Sequence, residues 1–305
     1  MKTLRESLLD DNLIDKPDKI IRDEIKAFLK ENYNGLIKIS RKPNADGKYE
    51  VSSTKDIDVI SKNITSLTNG MFIWTTVDGY FRVVSCNYLK SLEGSPKKIG
   101  RDFYCYGCNS LTSLKGAPKE IGGGFYCDSS KSLKSLEGAP KEVGGDFDCY
   151  SCPSLETLKG APEKVGSNFT CINCRSLKTL EGAPKNVRRG FYCSKCDSLI
   201  SLKGAPKEVS MTFDCSHCDS LISLEGAPEK VGDNFYCYNC YSLTSLEGAP
   251  EKVGENFDCS YCKSLNSLDG APKEVRKDFD CRGCKIQFTE NDIKKISNVK
   301  GEIKN

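Results

Sequence analysis

The chain is poor in the residues that usually mark catalysis. It has one histidine, one tryptophan and three methionines in 305 residues. There is no phosphate-cradling glycine loop and no His-Glu-x-x-His motif. No apolar run approaches the ~18 residues of a transmembrane helix. Lys and Arg number 45 against 42 Asp and Glu, a formal net charge of +3. Bulk electrostatics therefore argue for neither a nucleic-acid nor an acidic-membrane partner. Met1-Lys2-Thr3-Leu4-Arg5 is followed within a few residues by Asp10 and Asp11. The long apolar segment of a signal peptide is not there, so a cytoplasmic protein is expected.

What is present is a period. Phenylalanine returns every 22 residues from Phe81 through Phe103, Phe125 and so on to Phe279, ten copies without insertion or deletion. A fixed period of this length marks a solenoid. One copy is too short to bury its own apolar face and must stack on its neighbours. In Phe103-Tyr104-Cys105 the alternation is that of a half-buried strand, with Phe103 and Cys105 inward and Tyr104 and Tyr106 outward. Cys108 sits where the strand should turn, and Leu111 and Leu114 lead the chain back across the core. Gly116-Ala117-Pro118 breaks the chain. Pro118 to Ile121 fits one tight helical turn, with Pro at its first position and Gly122 past its end. Ile121 and its counterparts, Val77, Ile99 and Val143 through Val275, complete the core.

The order Phe-x-Cys-x-x-Cys-x-x-Leu resembles the leucine-rich repeat, with Cys108 at the Asn/Cys position and Leu111 one residue later than in the asparagine form. The resemblance covers roughly residues 77–288. The wording Gly-Ala-Pro-Lys-Glu-Val-Gly-Gly-Asp-Phe further resembles repeat proteins of bacteriophages and gut bacteria. The family implies a mostly β, curved solenoid with a parallel sheet on its concave face, a short 3-10 or extended convex side, and protein binding as the common use.

All 18 cysteines lie in the repeats, nine at the strand position and nine at the turn. Val83 stands in for the first type and Ser130 for the second. Three reactive readings compete. Paired Cys-x-x-Cys motifs can supply four thiolates to zinc, and a disulfide array or redox chemistry is also open. The preferred reading is a packing ladder, because buried cysteine behaves as a small hydrophobe and neither Val83 nor Ser130 would serve as a ligand. Stacked rungs roughly 4.8 Å apart permit sulfur contacts, but their side chains run in parallel, which suits disulfides poorly. No metal and no cofactor is expected.

The ends are less regular. Residues 1–16 read as a flexible N-terminal segment, within which Ser7 to Ile14 has the look of a short docking motif. A cap follows over 17–76. A helix opens at Pro17 and Asp18 and runs to about Tyr33, with Ile20, Ile21, Ile25, Phe28 and Leu29 on one face. Leu36–Ser40 and Lys48–Ser52 form a hairpin about Asn44-Ala45-Asp46-Gly47. Ile57, Val59, Ile64 and Leu67 make a degenerate first rung, and Met71–Thr76 a strand that places Trp74 in the cap core. The solenoid occupies 77–288. Thr289 caps a short helix, with Ile293 and Ile296 on its inner side, so 289–305 is a helical C-terminal cap.

The binding surface is sought among strand residues that point away from the core: the residue before each Phe, the one after it, and the one after the first cysteine position. Of thirty such places, tyrosine fills eight and aspartate eight, while Arg82 and Arg282 are the only basic residues. The candidate partner-binding residues are Tyr104, Tyr106, Tyr126, Asp128, Asp148, Tyr150, Tyr192, Asp214, Tyr236, Tyr238, Asp258 and Asp280. Rigid aromatic contact area with adaptable polar groups makes a good paratope, and the aspartates favour a protein partner with a basic surface. The bland alternative is that tyrosine suits strands and aspartate keeps a sheet soluble. Lysine follows every Gly-Pro turn on the opposite edge, mixed with glutamate, unlike the one-sign patch of a nucleic-acid footprint. His217 lies between Cys215 and Cys218, but Lys195 and Asn239 hold the same place in neighbouring repeats. It reads as a variable surface residue rather than half of a nucleophilic pair. A non-enzymatic protein-binding scaffold is the expectation. A zinc-binding or redox-active protein and a structural spacer or virion component are the alternatives.

Overall fold

The computed structural model describes residues 18–305. The expected flexible segment 1–16, its docking motif and Pro17 lie outside the described residues. The described chain is a parallel β-solenoid of 22-residue period with a short helix near either end. The element that unifies it is a 12-stranded sheet. Each rung from Phe103 to Phe279 contributes two residues, a phenylalanine and the one after it, and Phe147 registers on Phe125 and Phe169. The ring column runs through the whole stack, with centroids 5.0 Å apart at Phe169–Phe191 and 5.5 Å at Phe147–Phe169. Behind it the strand cysteines and both leucines of each repeat are also buried. Burial of one such aromatic is worth about 1.5–3 kcal/mol, and here every ring gains that only through the rung on either side.

The Pro118–Ile121 segment is not a helical turn. It is extended, and Glu120–Ile121 pairs in parallel with Lys98–Ile99. The same pairing recurs at Glu142–Val143 with Lys164–Val165. A second ladder thus runs beside the long sheet, joined to it by three-residue links such as Gly144-Gly145-Asp146. Two-residue strands leave Glu or Lys outward and Val inward. Glycine is required just before this ladder. Gly160 has φ +89°, and a Cβ there would lie 2.5 Å from the Glu137 backbone. The rungs are packed backbone to backbone, and only a residue without a side chain allows that approach.

At the N-terminal end, helix α1 (Asp18–Asn32) buries Ile25, Phe28 and Leu29. Ile20, expected on the same face, is exposed; it lies on the first turn, ahead of the surface the helix covers. Strand β1 (Lys38–Ile39) pairs antiparallel with β2 (Tyr49–Ser53), as the hairpin signal predicted. Strand β3 (Ile57–Ile60) is the degenerate rung and opens the long sheet by pairing with β5 (Phe81–Val84). Strand β4 (Phe72–Val77) joins β2 to the second ladder. Trp74 is buried on it and meets Tyr33 and Phe81 at 5.5 Å each.

At the other end, helix α2 (Glu290–Ile296) carries a capping box between Thr289 and Asp292. Ile293 is buried, but Ile296 is exposed rather than inward. The segment is more than a helical cap. Asn298–Val299 extends the second ladder and Ile303–Lys304 extends the long sheet, with Ile303 in register on Phe279.

Candidate functional site

Each rung crosses the long sheet the same way. The N–H groups of the phenylalanine, the strand cysteine and the residue two further on donate to the next rung, as from Phe103, Cys105 and Gly107. The third of these sits in left-handed backbone in every regular rung, from Ser85 to Gly283. His217 is one of them, at φ +55°. Its place is a backbone turn, and its ring lies edge-on to Tyr238 at 5.2 Å.

The three outward rows have different jobs. The row before each phenylalanine is largely structural. The Asp102 carboxylate accepts from the Gly124 N–H at 2.7 Å, the Asp146 carboxylate from the Asn168 N–H and amide, and the Asn168 carbonyl from the Gly190 N–H. A column of Asn and Asp oxygens therefore satisfies N–H groups that the sheet leaves over. These carboxylates, first counted with the outward face, act as rung-to-rung braces.

The row after each phenylalanine carries Tyr104, Tyr126, Asp148, Tyr192, Asp214, Tyr236, Asp258 and Asp280 on the outer face of the long sheet. All are half-buried except Asp280, which is buried. Tyr104 and Tyr126 stack at 4.8 Å and 12°. Tyr80 and Tyr106 meet Tyr104 edge-on at 6.2 and 6.3 Å. Arg82 sits 4.8 Å over the Tyr80 ring and is paired with Asp58. These residues form one aromatic cluster on consecutive rungs. Tyr236, Tyr238 and His217 form a second, smaller one. Tyr192 stands between them. Tyr150 is 44% exposed, near the strand exit.

The aspartates in this row act within their own rung. Asp148, Asp214, Asp258 and Asp280 each accept the N–H two residues on. At Asp280 the Arg282 guanidinium takes the second carboxylate oxygen. Burial pushes the Asp148 carboxyl up to about 6 and raises Asp128 and Asp258 as well. Burial likewise lifts the Tyr104 phenol, and that of Tyr126 to about 12. On acidification these carboxylates therefore take up protons at a higher pH than free aspartates do.

The cysteines form two buried columns, with Cys284 alone half-buried. Every turn-position thiol donates to the carbonyl of the strand residue one rung back. Cys152 reaches the Cys127 carbonyl at 3.4 Å, Cys174 that of Cys149 at 3.3 Å and Cys196 that of Cys171 at 3.2 Å. Cys108 does the same to Val83. Burial holds strand thiols such as Cys127, Cys171 and Cys215 well above the ordinary range. Ser130 fits this column by volume, yet its buried hydroxyl has no partner. Among the described residues, no three His, Cys, Asp or Glu side chains are grouped to hold a metal ion. No helix among them is long and apolar enough to cross a membrane.

Lysines and glutamates of the second ladder pair across rungs, as at Lys164–Glu142 (2.6 Å) and Lys230–Glu208 (2.8 Å). Each pair is exposed and contributes little alone.

No family model matches the chain, and no curated protein matches it. Among solved structures it is similar to a leucine-rich repeat protein from Bacteroides ovatus ATCC 8483, at 13% identity over 89% of this chain and 98% of that one, with a TM-score of 0.25. At that score the two backbones do not superpose as wholes. The solenoid assignment rests on the strand register described above.

Proposed function

We propose that this leucine-rich-repeat-like solenoid is a non-enzymatic scaffold that recognises a protein partner through the outer face of its long sheet. The observation that carries the reading is the Tyr104–Tyr126 stack with Tyr80 and Tyr106 against it. Their directions are fixed by the sheet before any partner arrives, so little side-chain entropy is lost on binding. Aromatic anchors of this kind tend to dominate interface energies. Asp128 and Asp148 lie beside the cluster and Asp214 and Asp258 beside Tyr236, which suits lysine and arginine side chains of a basic partner. The chain divides, on this reading, into a cap over 17–76, the recognition solenoid over 77–288 and a terminal cap over 289–305, working in the cytoplasm.

The test uses two variants. One changes Tyr104, Tyr126 and Tyr236 to Ser; the other changes Lys90, Lys119 and Lys134 to Ser. Both should fold, since neither set is in the core. Affinity capture from extracts of the organism that encodes the chain, with parent and both variants as bait, identifies proteins held by the parent. The reading expects the captured partner to be lost with the tyrosine variant and kept with the lysine variant. Loss with the lysine variant alone would place the working surface elsewhere and overturn it.

A further inference from the structure

The second ladder is not continuous. Its strand pairing lapses between Glu120–Ile121 and Glu142–Val143, and again between Asn186–Val187 and Glu208–Val209, although the Gly144 N–H still reaches the Ile121 carbonyl at 3.4 Å and the Met211 N–H the Arg189 carbonyl at 3.2 Å. On the ladder's regular parts, the Gly166 N–H reaches the Val143 carbonyl and the Gly232 N–H the Val209 carbonyl, both at 2.9 Å. No such bond joins Ser210 to Val187. A groove of about 1060 Å³ lies along the three strands between the breaks and extends over the second break to Ser210. Its floor is low because Gly144 and Gly166 carry no side chains there.

Charge is distributed unevenly at the same place. The outward row reads Glu142, Lys164, Asn186, Glu208. Asn186 carries no charge, and Lys164 pairs back to Glu142 while Glu208 pairs forward to Lys230. Lys185, Arg188 and Lys207 line the groove about this interruption, all exposed. No carboxylate among the described residues is within ion-pair distance of any of the three. Here three cations without an ion pair line one depression.

We propose that this groove binds an extended acidic segment of a partner protein. Its carboxylates lie against Lys185, Arg188 and Lys207. An extended chain of about five residues spans roughly 17 Å, close to the three rung steps of roughly 4.8 Å that separate Val143 from Val209. The site is on a different ladder from the tyrosine face, so it does not depend on the function proposed above.

The probe is a fluorescently labelled hexaglutamate, followed by polarisation at about 50 mM salt, where screening is weak. Hexaserine and inorganic phosphate serve as comparison ligands. The parent should bind hexaglutamate saturably, bind hexaserine not at all, and release the peptide as salt rises. A variant with Lys185, Arg188 and Lys207 changed to Ser should bind at least about tenfold more weakly, with an unchanged melting curve. The variant lacking Lys90, Lys119 and Lys134 has the same net charge and should bind like the parent, as should the tyrosine variant. Absence of saturable binding by the parent overturns the proposal. So does an equal loss in the lysine control, which would mean net charge alone is read. Phosphate binding as tightly as the peptide also overturns it, since the groove would then be a simple anion site.

Discussion

Ser130→Cys should make this protein more stable. Nine turn-position thiols donate to a carbonyl one rung back, at 3.2–3.5 Å. The tenth place holds Ser130, fully buried, with an orphaned hydroxyl. In register, its acceptor would be the Cys105 carbonyl. The C–O bond is shorter than C–S, so the hydroxyl stops short of what a thiol reaches. A buried polar group without a partner costs about 1–3 kcal/mol. A weak thiol bond and the added sulfur volume recover part of that, so the gain should be about 1–2 kcal/mol. For a chain of 305 residues each kcal/mol moves the melting temperature by about 1.5–2 °C. Thermal unfolding reads the global effect. Hydrogen exchange at Cys127 and Leu133, whose N–H groups bond to Asp148 and Ser130, reads it locally. Ser130→Ala separates the causes: it deletes the orphan without adding a bond and should be neutral or slightly stabilising. Cys152→Ser should reproduce the defect one rung along, at a cost of similar size. If Ser130→Ala destabilised by more than about 1 kcal/mol, the hydroxyl would be making a bond after all and the reasoning would be refuted.

Two further perturbations test the core and the outer face. Phe169 is buried between Phe147 and Phe191; Phe169→Ala should cost roughly 3–5 kcal/mol and fray the adjacent rungs first, and an unchanged thermal melt would contradict the inward column. Burial lifts the Asp148 carboxyl to about 6, and an acid raised in the folded state stabilises it only while protonated. Parent stability should therefore fall as pH rises from near the ordinary carboxyl value of 3.8 through about 6. Asp148→Asn keeps an oxygen for the Tyr150 N–H and should flatten that slope; equal slopes in melts across this window would show that Asp148 is not its source.

Much of this fold was legible in the sequence, and the failures have physical causes. The Phe, Leu and Val columns could be read because one residue type at a fixed interval has one environment. The second ladder was missed because strands of two residues carry no alternation, and Pro118 followed by Gly122 looks like a helical turn. The last rung was hidden by two extra residues: Ile303 falls 24 places after Phe279, yet Val299-Lys300-Gly301-Glu302-Ile303 repeats the spacing of Val143 to Phe147. The left-handed turn was illegible because Gly107 and Gly283 share the position with Ser, Asn, Lys, His and Tyr. At the candidate site, the sequence located the tyrosines that stack but could not separate Asp102, a brace for the Gly124 N–H, from Asp148, which accepts the Tyr150 N–H of its own rung. Both are aspartates on outward rows, and only the neighbouring rung's backbone distinguishes them. The basic groove was passed over because Arg188, Lys185 and Lys207 are separated in sequence and converge only when rungs stack.

The identical register of every regular rung also sets a unit of length. Phe147 hands its bonds to the 169 rung in the way that rung hands its own to the 191 rung. Removing any 22 consecutive residues from the regular region therefore returns each backbone donor of the long sheet to an equivalent acceptor. The encoding gene can lose or duplicate 66 nucleotides without touching either end of the molecule. What changes is the order of tyrosines and aspartates along the outer face, one step at a time. Unequal recombination among the repeats thus reshuffles the surface pattern in whole rungs, while the interior that supports it stays the same.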